Sequence, residues 1–171
     1  MFIEVLTYLL SRTAEINPSG KKSFQKLVYF LQEFNVPLQF KYTMYFYGPY
    51  SKSLSESLDE MSFEGIIQYE PKGHTVFVKP GIAAKFVLEE STDTIELFKS
   101  NIDFIVSKLA MKTASQLELL ATAHYILKNN CEINSDDDVV DEISRLKGDK
   151  FQRQQTLETI QELRSLELSR K

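Results

Sequence analysis

The stretch FYGPYSKSLSESLDE, residues 46–60, decides how the chain is read. An aromatic run enters a Gly-Pro turn at Gly48 and Pro49. Ser51 then stands where its hydroxyl can accept a free backbone N–H and cap a helix. Leu54, Leu58 and Met61 give that helix a narrow apolar seam, and Gly65 suits the left-handed position just past its end. Upstream, LQFKYTMYF (38–46) alternates apolar Leu38, Phe40, Tyr42, Met44 and Phe46 with Gln39, Lys41, Thr43 and Tyr45. That period of two predicts a half-buried strand, which Gly48 and Pro49 stop. Downstream, IIQYE and HTVFVK flank PKG and predict a β-hairpin.

Further out, Phe2, Val5, Leu6, Leu9 and Leu10 predict a helix over residues 2–15, and NPSG marks a turn. A second helix over residues 21–34 carries Phe24, Leu27, Val28 and Leu31 inward. Lys22, Lys26, Tyr29 and Glu33 then share its other side, so Tyr29 either meets a partner or packs on the rest of the chain with lysine stems around it. Helix, helix, strand, helix, hairpin is close to the order of a winged-helix domain, giving a winged-helix-like half over residues 1–82. The remainder, 83–171, reads as all-helical. Ile95, Phe98, Ile102, Ile105 and Leu109 mark one helix, and Thr113 with Gln116 a capping box opening LELLATAHYIL. Asp136 begins a helix closed by Gly148, and a last one runs from Phe151 to Leu168. No Ser-, Gly- or Pro-rich linker separates the halves, so they are expected to pack together. The fold class is mainly α with a small β component.

Composition supports a folded chain: 43% of its 171 residues are apolar and 12% aromatic. The net charge is −4, with acids and bases balanced at eight each through Ile82 and the excess acid C-terminal to it. Neither half is the strongly basic body of a sequence-independent nucleic-acid binder. No apolar run approaches the roughly 18 residues of a membrane span. MFIEVLTYLLSRTAEI carries Glu4 inside its apolar run and no basic n-region, so it reads as a helix and not as a signal peptide. Cys131 is the sole cysteine, which excludes an intrachain disulfide and points to the cytoplasm. At a helix end, it reads as an inert structural thiol.

Chemistry-bearing motifs are absent. There is no phosphate-cradling glycine loop, no nucleophile elbow, and two histidines with one cysteine do not make a zinc site. NSDDDVVDE (134–142) fails as a calcium loop, because Val139 and Arg145 stand where Gly and Glu are required. Its acids fit helix capping instead. His124, in the densest apolar helix, reads as a satisfied core or interface histidine. An enzyme is not expected, and neither a cofactor nor a metal is called for.

The helix after Gly-Pro shows Lys52, Glu56, Asp59, Glu60 and Phe63 outward. One base against three acids is the wrong sign for a helix beside phosphates. Phe63 is either an anchor for a protein partner or tucked in where the chain turns. A DNA-binding alternative would rest on Lys22 and Lys26 with the hairpin residues Lys72, His74 and Lys79, and a homodimer could gather that modest charge on one face.

FQKLVYFLQ (24–32) followed by FYGPYS (46–51) resembles the signature pair of the Panacea antitoxin domain, also called SocA-like. The wider pattern, with LELLATAHYILK (117–128) and a closing helix after LKGDKFQ, is similar to the YwgA-like proteins of bacteria and archaea. The resemblance implies a cytoplasmic prokaryotic protein without catalysis. On the Panacea side it further implies one that neutralises a partner toxin by direct contact. Gln25, Lys26, Tyr29, Tyr47, Gly48, Pro49 and Tyr50 match the shared motifs, and with Phe63 they are the expected protein-binding residues. A folded second half departs from the usual antitoxin, in which a partner-specific segment is attached to such a domain. The leading reading is a regulatory or antitoxin-like protein-interaction module. The alternative is a DNA-binding winged-helix regulator.

Overall fold

The structure, a computed structural model, describes residues 2–166. The chain runs α1 (Phe2–Ile16), α2 (Lys21–Glu33), β1 (Thr43–Tyr45), β2 (Gly48–Tyr50), α3 (Lys52–Phe63), β3 (Ile67–Lys72) and β4 (Thr75–Pro80). It continues through α4 (Ala84–Glu90), α5 (Thr92–Leu109), α6 (Ala114–Asn129), α7 (Asp136–Lys147), a 3-10 turn (Gly148–Lys150) and α8 (Arg153–Ser165). The fold is mainly α with a small β component, the latter being two separate antiparallel ribbons, β1–β2 and β3–β4. The part of the expected last helix at residues 167 and 168 lies outside the described residues.

Local chemistry sets most boundaries. Ser51 caps α3 through Leu54 N–H at 3.2 Å. Gly65, at φ +74°, closes that helix while Ile66 N–H donates back to the Met61 carbonyl at 2.9 Å. This six-residue return needs a left-handed residue at Gly65. The Thr113–Gln116 capping box opens α6. Ser135 and Asp138 form a second box at α7, and Asp136 and Asp137 pair with Arg164 and Arg153 across to α8. The acids of residues 134–142 therefore serve capping and helix docking. Helix α4 was not anticipated, because seven residues with only Ala84 fully buried show no period.

One apolar core runs through both halves, uniting Leu6, Leu27, Phe30 and Leu58 with Leu109, Leu120 and Ile143. Helix α2 lies at its centre, against α5, α6, β2 and β4, and every residue from Phe24 to Leu31 is buried. The expected outer side of α2 is therefore an interior side for Lys26, Tyr29 and Glu33. The Tyr29 hydroxyl lies 2.7 Å from His124 Nδ1 on α6, and Lys128 donates to both Glu33 oxygens at 2.7 Å. Burial raises the Tyr29 phenol well above its ordinary range, so it stays protonated. His124 is the satisfied interface histidine that its apolar surroundings suggest.

Two expectations are corrected. Residues 38–44 do alternate between covered and exposed positions, but only Thr43–Tyr45 is strand and Phe46 points out. A left-handed Gln39 (φ +62°) interrupts the extended run, and the side-chain amide of Gln32 takes the place of a neighbouring strand. It donates to Phe40 O at 2.9 Å and accepts from Phe40 N–H at 2.7 Å. Cys131 is exposed in the turn after α6 and is not a structural core thiol.

The buried Tyr29–His124 bond joins the two halves. Tyr29→Phe removes the hydroxyl that meets His124 Nδ1 and is expected to cost about 1–2 kcal/mol. Urea unfolding should show a lower midpoint with an unchanged slope.

Candidate functional site

The two motifs on α2 and around Gly48 grip one another. Gln25, buried on α2, donates from Nε2 to the Ser51 carbonyl at 2.9 Å and accepts the Ser51 N–H at 3.1 Å. Its neighbour Lys26 donates from Nζ to the Pro49 carbonyl at 2.7 Å. Gly48 and Pro49 do not stop a strand, as the sequence suggested; they are the return strand β2, registered Tyr45↔Gly48 and Met44↔Pro49. Proline is tolerated there because a two-stranded ribbon leaves its edge unpaired. Gly48 has φ +82°, and a Cβ on it would sit 2.8 Å from Thr122 Oγ1 on α6. The ribbon is thus pinned between α2 and α6, and its tip is thrust outward. Tyr45, Phe46 and Tyr47 are 58%, 78% and 47% exposed.

Beside this tip lies a groove of about 690 Å³. Lys22, Gln25 and Lys26 of α2 line it with Tyr45, Tyr47 and Tyr50 of the ribbon, and His74 of the β3–β4 turn lies along it with Thr75 and Val76 of β4. At Tyr47 it meets a recess of about 210 Å³ walled by Ala114 and Ser115 of α6, Glu118 and Lys150. Lys22 Nζ sits 3.4 Å from the Tyr47 ring centroid and Lys150 Nζ 5.5 Å from it. These are cation–π contacts. The buried Glu118 takes Lys150 at 2.7 Å, and Lys147 approaches its other oxygen to 3.1 Å without hydrogen-bond geometry. Lys147 also donates to Phe46 O at 2.6 Å.

Lys26 is the most constrained charge in this region, at 3% exposure. Burial depresses its ammonium from 10.5 to about 8; Glu118 opposes that shift, while Lys147 and Lys22 add to it. Among the described residues, the ammonium groups of Lys22, Lys26, Lys147 and Lys150 thus cluster near one carboxylate, Glu118, which pairs with the last two.

Of the expected protein-binding residues, Gln25, Lys26, Tyr29, Gly48 and Pro49 are buried, and all but Tyr29 belong to the grip itself. Only Tyr47 and Tyr50 reach the groove as aromatic surface. Phe63 is 94% exposed on the acidic side of α3, beside Glu56, Asp59, Glu60 and Glu64, and is neither tucked in nor part of the groove. Of the expected nucleic-acid residues, Lys22, Lys72 and His74 are exposed, Lys26 is buried, and Lys79 is paired with Glu70. Sequence reasoning missed Glu118, Lys147 and Lys150. The one local signal was a carboxylate in the otherwise apolar LELLATAH.

Fold and site together define a mainly α chain carrying an aromatic, lysine-lined groove where its two motifs meet. Over 112 residues, 62% of the chain, it is 27% identical to the uncharacterized protein YwgA of Bacillus subtilis (strain 168). The chain covers 64% of that relative, less than two thirds of its length. The relationship is a distant, YwgA-like one. No family model matches the chain, so the Panacea resemblance rests on its two motifs alone. No helix among the described residues is long and apolar enough to cross a membrane.

Two substitutions separate grip from charge. Gly48→Ala meets both a left-handed backbone and the Thr122 hydroxyl, and is expected to cost roughly 2–4 kcal/mol in thermal or urea unfolding. Lys26→Met removes a buried charge but also the donor to the buried Pro49 carbonyl, so the two effects oppose and stability at pH 7 is expected to stay within about 1 kcal/mol of the wild type. The pH dependence is the clearer readout. Between about pH 8 and 10.5 the unfolded lysine holds a proton that the folded one has lost, so native stability rises with pH there. That rise should be absent from the methionine variant.

Proposed function

We propose that the chain is a non-enzymatic regulatory module of winged-helix type, working in the cytoplasm, whose partner is an acidic protein segment. The observation that carries this reading is the groove, where exposed tyrosines of the β1–β2 ribbon meet lysines in excess over carboxylates. Tyrosines give rigid, amphipathic contact area, and lysines supply complementary charge and register. The winged-helix label is supported by the order α1, α2, α3, β3, β4. Gly20, between α1 and α2, bridges antiparallel to Phe77 of β4, in the place of the first strand of such a domain. The β1–β2 ribbon is then an insertion between the second and third helices. An antitoxin-like role, with a toxin as the acidic partner, is the more specific form of this proposal.

The DNA-binding alternative keeps one observation in its favour, the exposed Lys22 and His74 along the same groove. Against it, α3, which holds the position of a reading helix, presents Glu56, Asp59 and Glu60 outward.

The test is affinity capture with the intact chain as bait, beside Tyr47→Ala and a Phe63→Ala control on the acidic side. The expected result is a partner retained by the wild type and the control and lost by Tyr47→Ala, with all three equally stable. A titration into labelled random duplex DNA runs in parallel. Affinity that falls linearly with salt on a log–log plot, with no protein captured, would replace this reading by the DNA one.

A further inference from the structure

We propose that the recess under Tyr47 is a binding site for a doubly charged oxyanion, a phosphoryl group, held by Lys22, Lys26 and Lys150 at the N-terminus of α6. Three observations converge on it. The first is charge: Lys147 and Lys150 pair with Glu118, Lys22 and Lys26 lie in the same cluster, and among the described residues Glu118 is the carboxylate that lines the recess, so the cluster is short of negative charge. The second is the state of Lys26. It is 3% exposed, it borders both the recess and the groove, and of its three N–H donors the Pro49 carbonyl takes one. A buried ammonium is costly without a full set of acceptors, and an oxyanion in the recess supplies them. The third is the helix end. The capping box satisfies the N–H groups of Thr113 and Gln116, while those of Ala114 and Ser115, which wall the recess, have no intrahelical acceptor. Backbone donors at a helix start favour an anion, and Ala114 and Ser115 line the same recess as the lysines.

The charge favours a dianion over a carboxylate: Lys22, Lys26 and Lys150 line the recess against Glu118, so a dianion balances them and a monoanion leaves one lysine in excess. The recess opens at Tyr47 into the tyrosine-lined groove, so whatever carries the phosphoryl group can extend along Tyr47 and Tyr50. This site does not depend on the protein-partner reading, because an oxyanion can occupy the recess whichever molecule fills the groove.

The test is an NMR titration of the intact, isotope-labelled chain at constant ionic strength. The probes are inorganic phosphate, AMP, acetate and chloride. The expected result is saturable shifts at the Ala114 and Ser115 amides with phosphate or AMP, at least tenfold tighter than with acetate, and no saturation with chloride. Lys26→Met, checked as folded, and Lys150→Glu, at the surface, should each weaken that affinity at least tenfold. A tenfold gain of AMP over phosphate assigns the source to a nucleotide-like ligand with its base in the groove. Equal affinities assign recognition to the phosphoryl group alone. Either result supports the site. Acetate binding as tightly as phosphate, chloride reproducing the shifts, or unchanged binding in folded Lys26→Met would overturn it. Failure of partner capture with phosphate binding intact would count against the proposed function only.

Discussion

The structure depends on two neighbouring side chains of α2 that bond the backbone of a distant turn. Gln25 satisfies both the N–H and the carbonyl of Ser51, and Lys26 takes the carbonyl of Pro49. Ser51 is fully buried and also caps α3. The same residue therefore fixes where α3 begins and how it sits on α2. Buried backbone groups away from regular ladders must find partners, and here helix side chains provide them. Gln32, seven residues after Gln25, does the same for Phe40. Together they hold the irregular run from residue 40 to 51 against one face of one helix.

This arrangement explains why the two motifs occur together. FQKLVYFLQ and FYGPYS read separately as candidate partner surface, yet Gln25, Lys26 and Ser51 are committed to bonds between them. Gln25, Lys26, Gly48 and Pro49 build the grip, and Tyr29 ties α2 to His124 on α6. Their functional consequence is indirect. By pressing Gly48 onto Thr122 they leave the ribbon tip nowhere to go but outward, which places Tyr45, Phe46 and Tyr47 at the surface beside Lys22.

What was legible in the sequence was chemistry acting over a few residues. Ser51 as a cap, Gly65 past the end of α3, the Thr113–Gln116 box and the hairpin around Gly73 each depend on neighbours within about one turn. The failures came where one pattern serves two structures. Alternation over residues 38–46 reports an extended chain lying half on a core, and a sheet neighbour is only one way to satisfy such a chain. The wheel for α2 assumed one apolar side facing a core and one facing water. A central helix has neighbours all round, so Lys26, Tyr29 and Glu33 are interior residues with polar partners. The lysine cluster was invisible for a third reason: Glu118, Lys147 and Lys150 meet Lys22 and Lys26 only after α6 and α7 have docked.

Gln25 and Lys26 meet the same backbone at different electrostatic cost. Both reach the backbone of the same short segment from adjacent positions on α2, and both are buried. Gln25 satisfies two backbone groups of Ser51 as a neutral amide, at little electrostatic cost. Lys26 makes a single bond with an ammonium that burial holds near pKa 8 instead of 10.5. A shift of that size corresponds to about 3 kcal/mol against the charged form. Lys22 and Lys147 worsen it and Glu118 only partly offsets it. Holding the ribbon does not require that charge. Receiving an anion in the recess does, and Lys26 is the one residue placed to do both, with the Pro49 carbonyl on one side and the recess on the other.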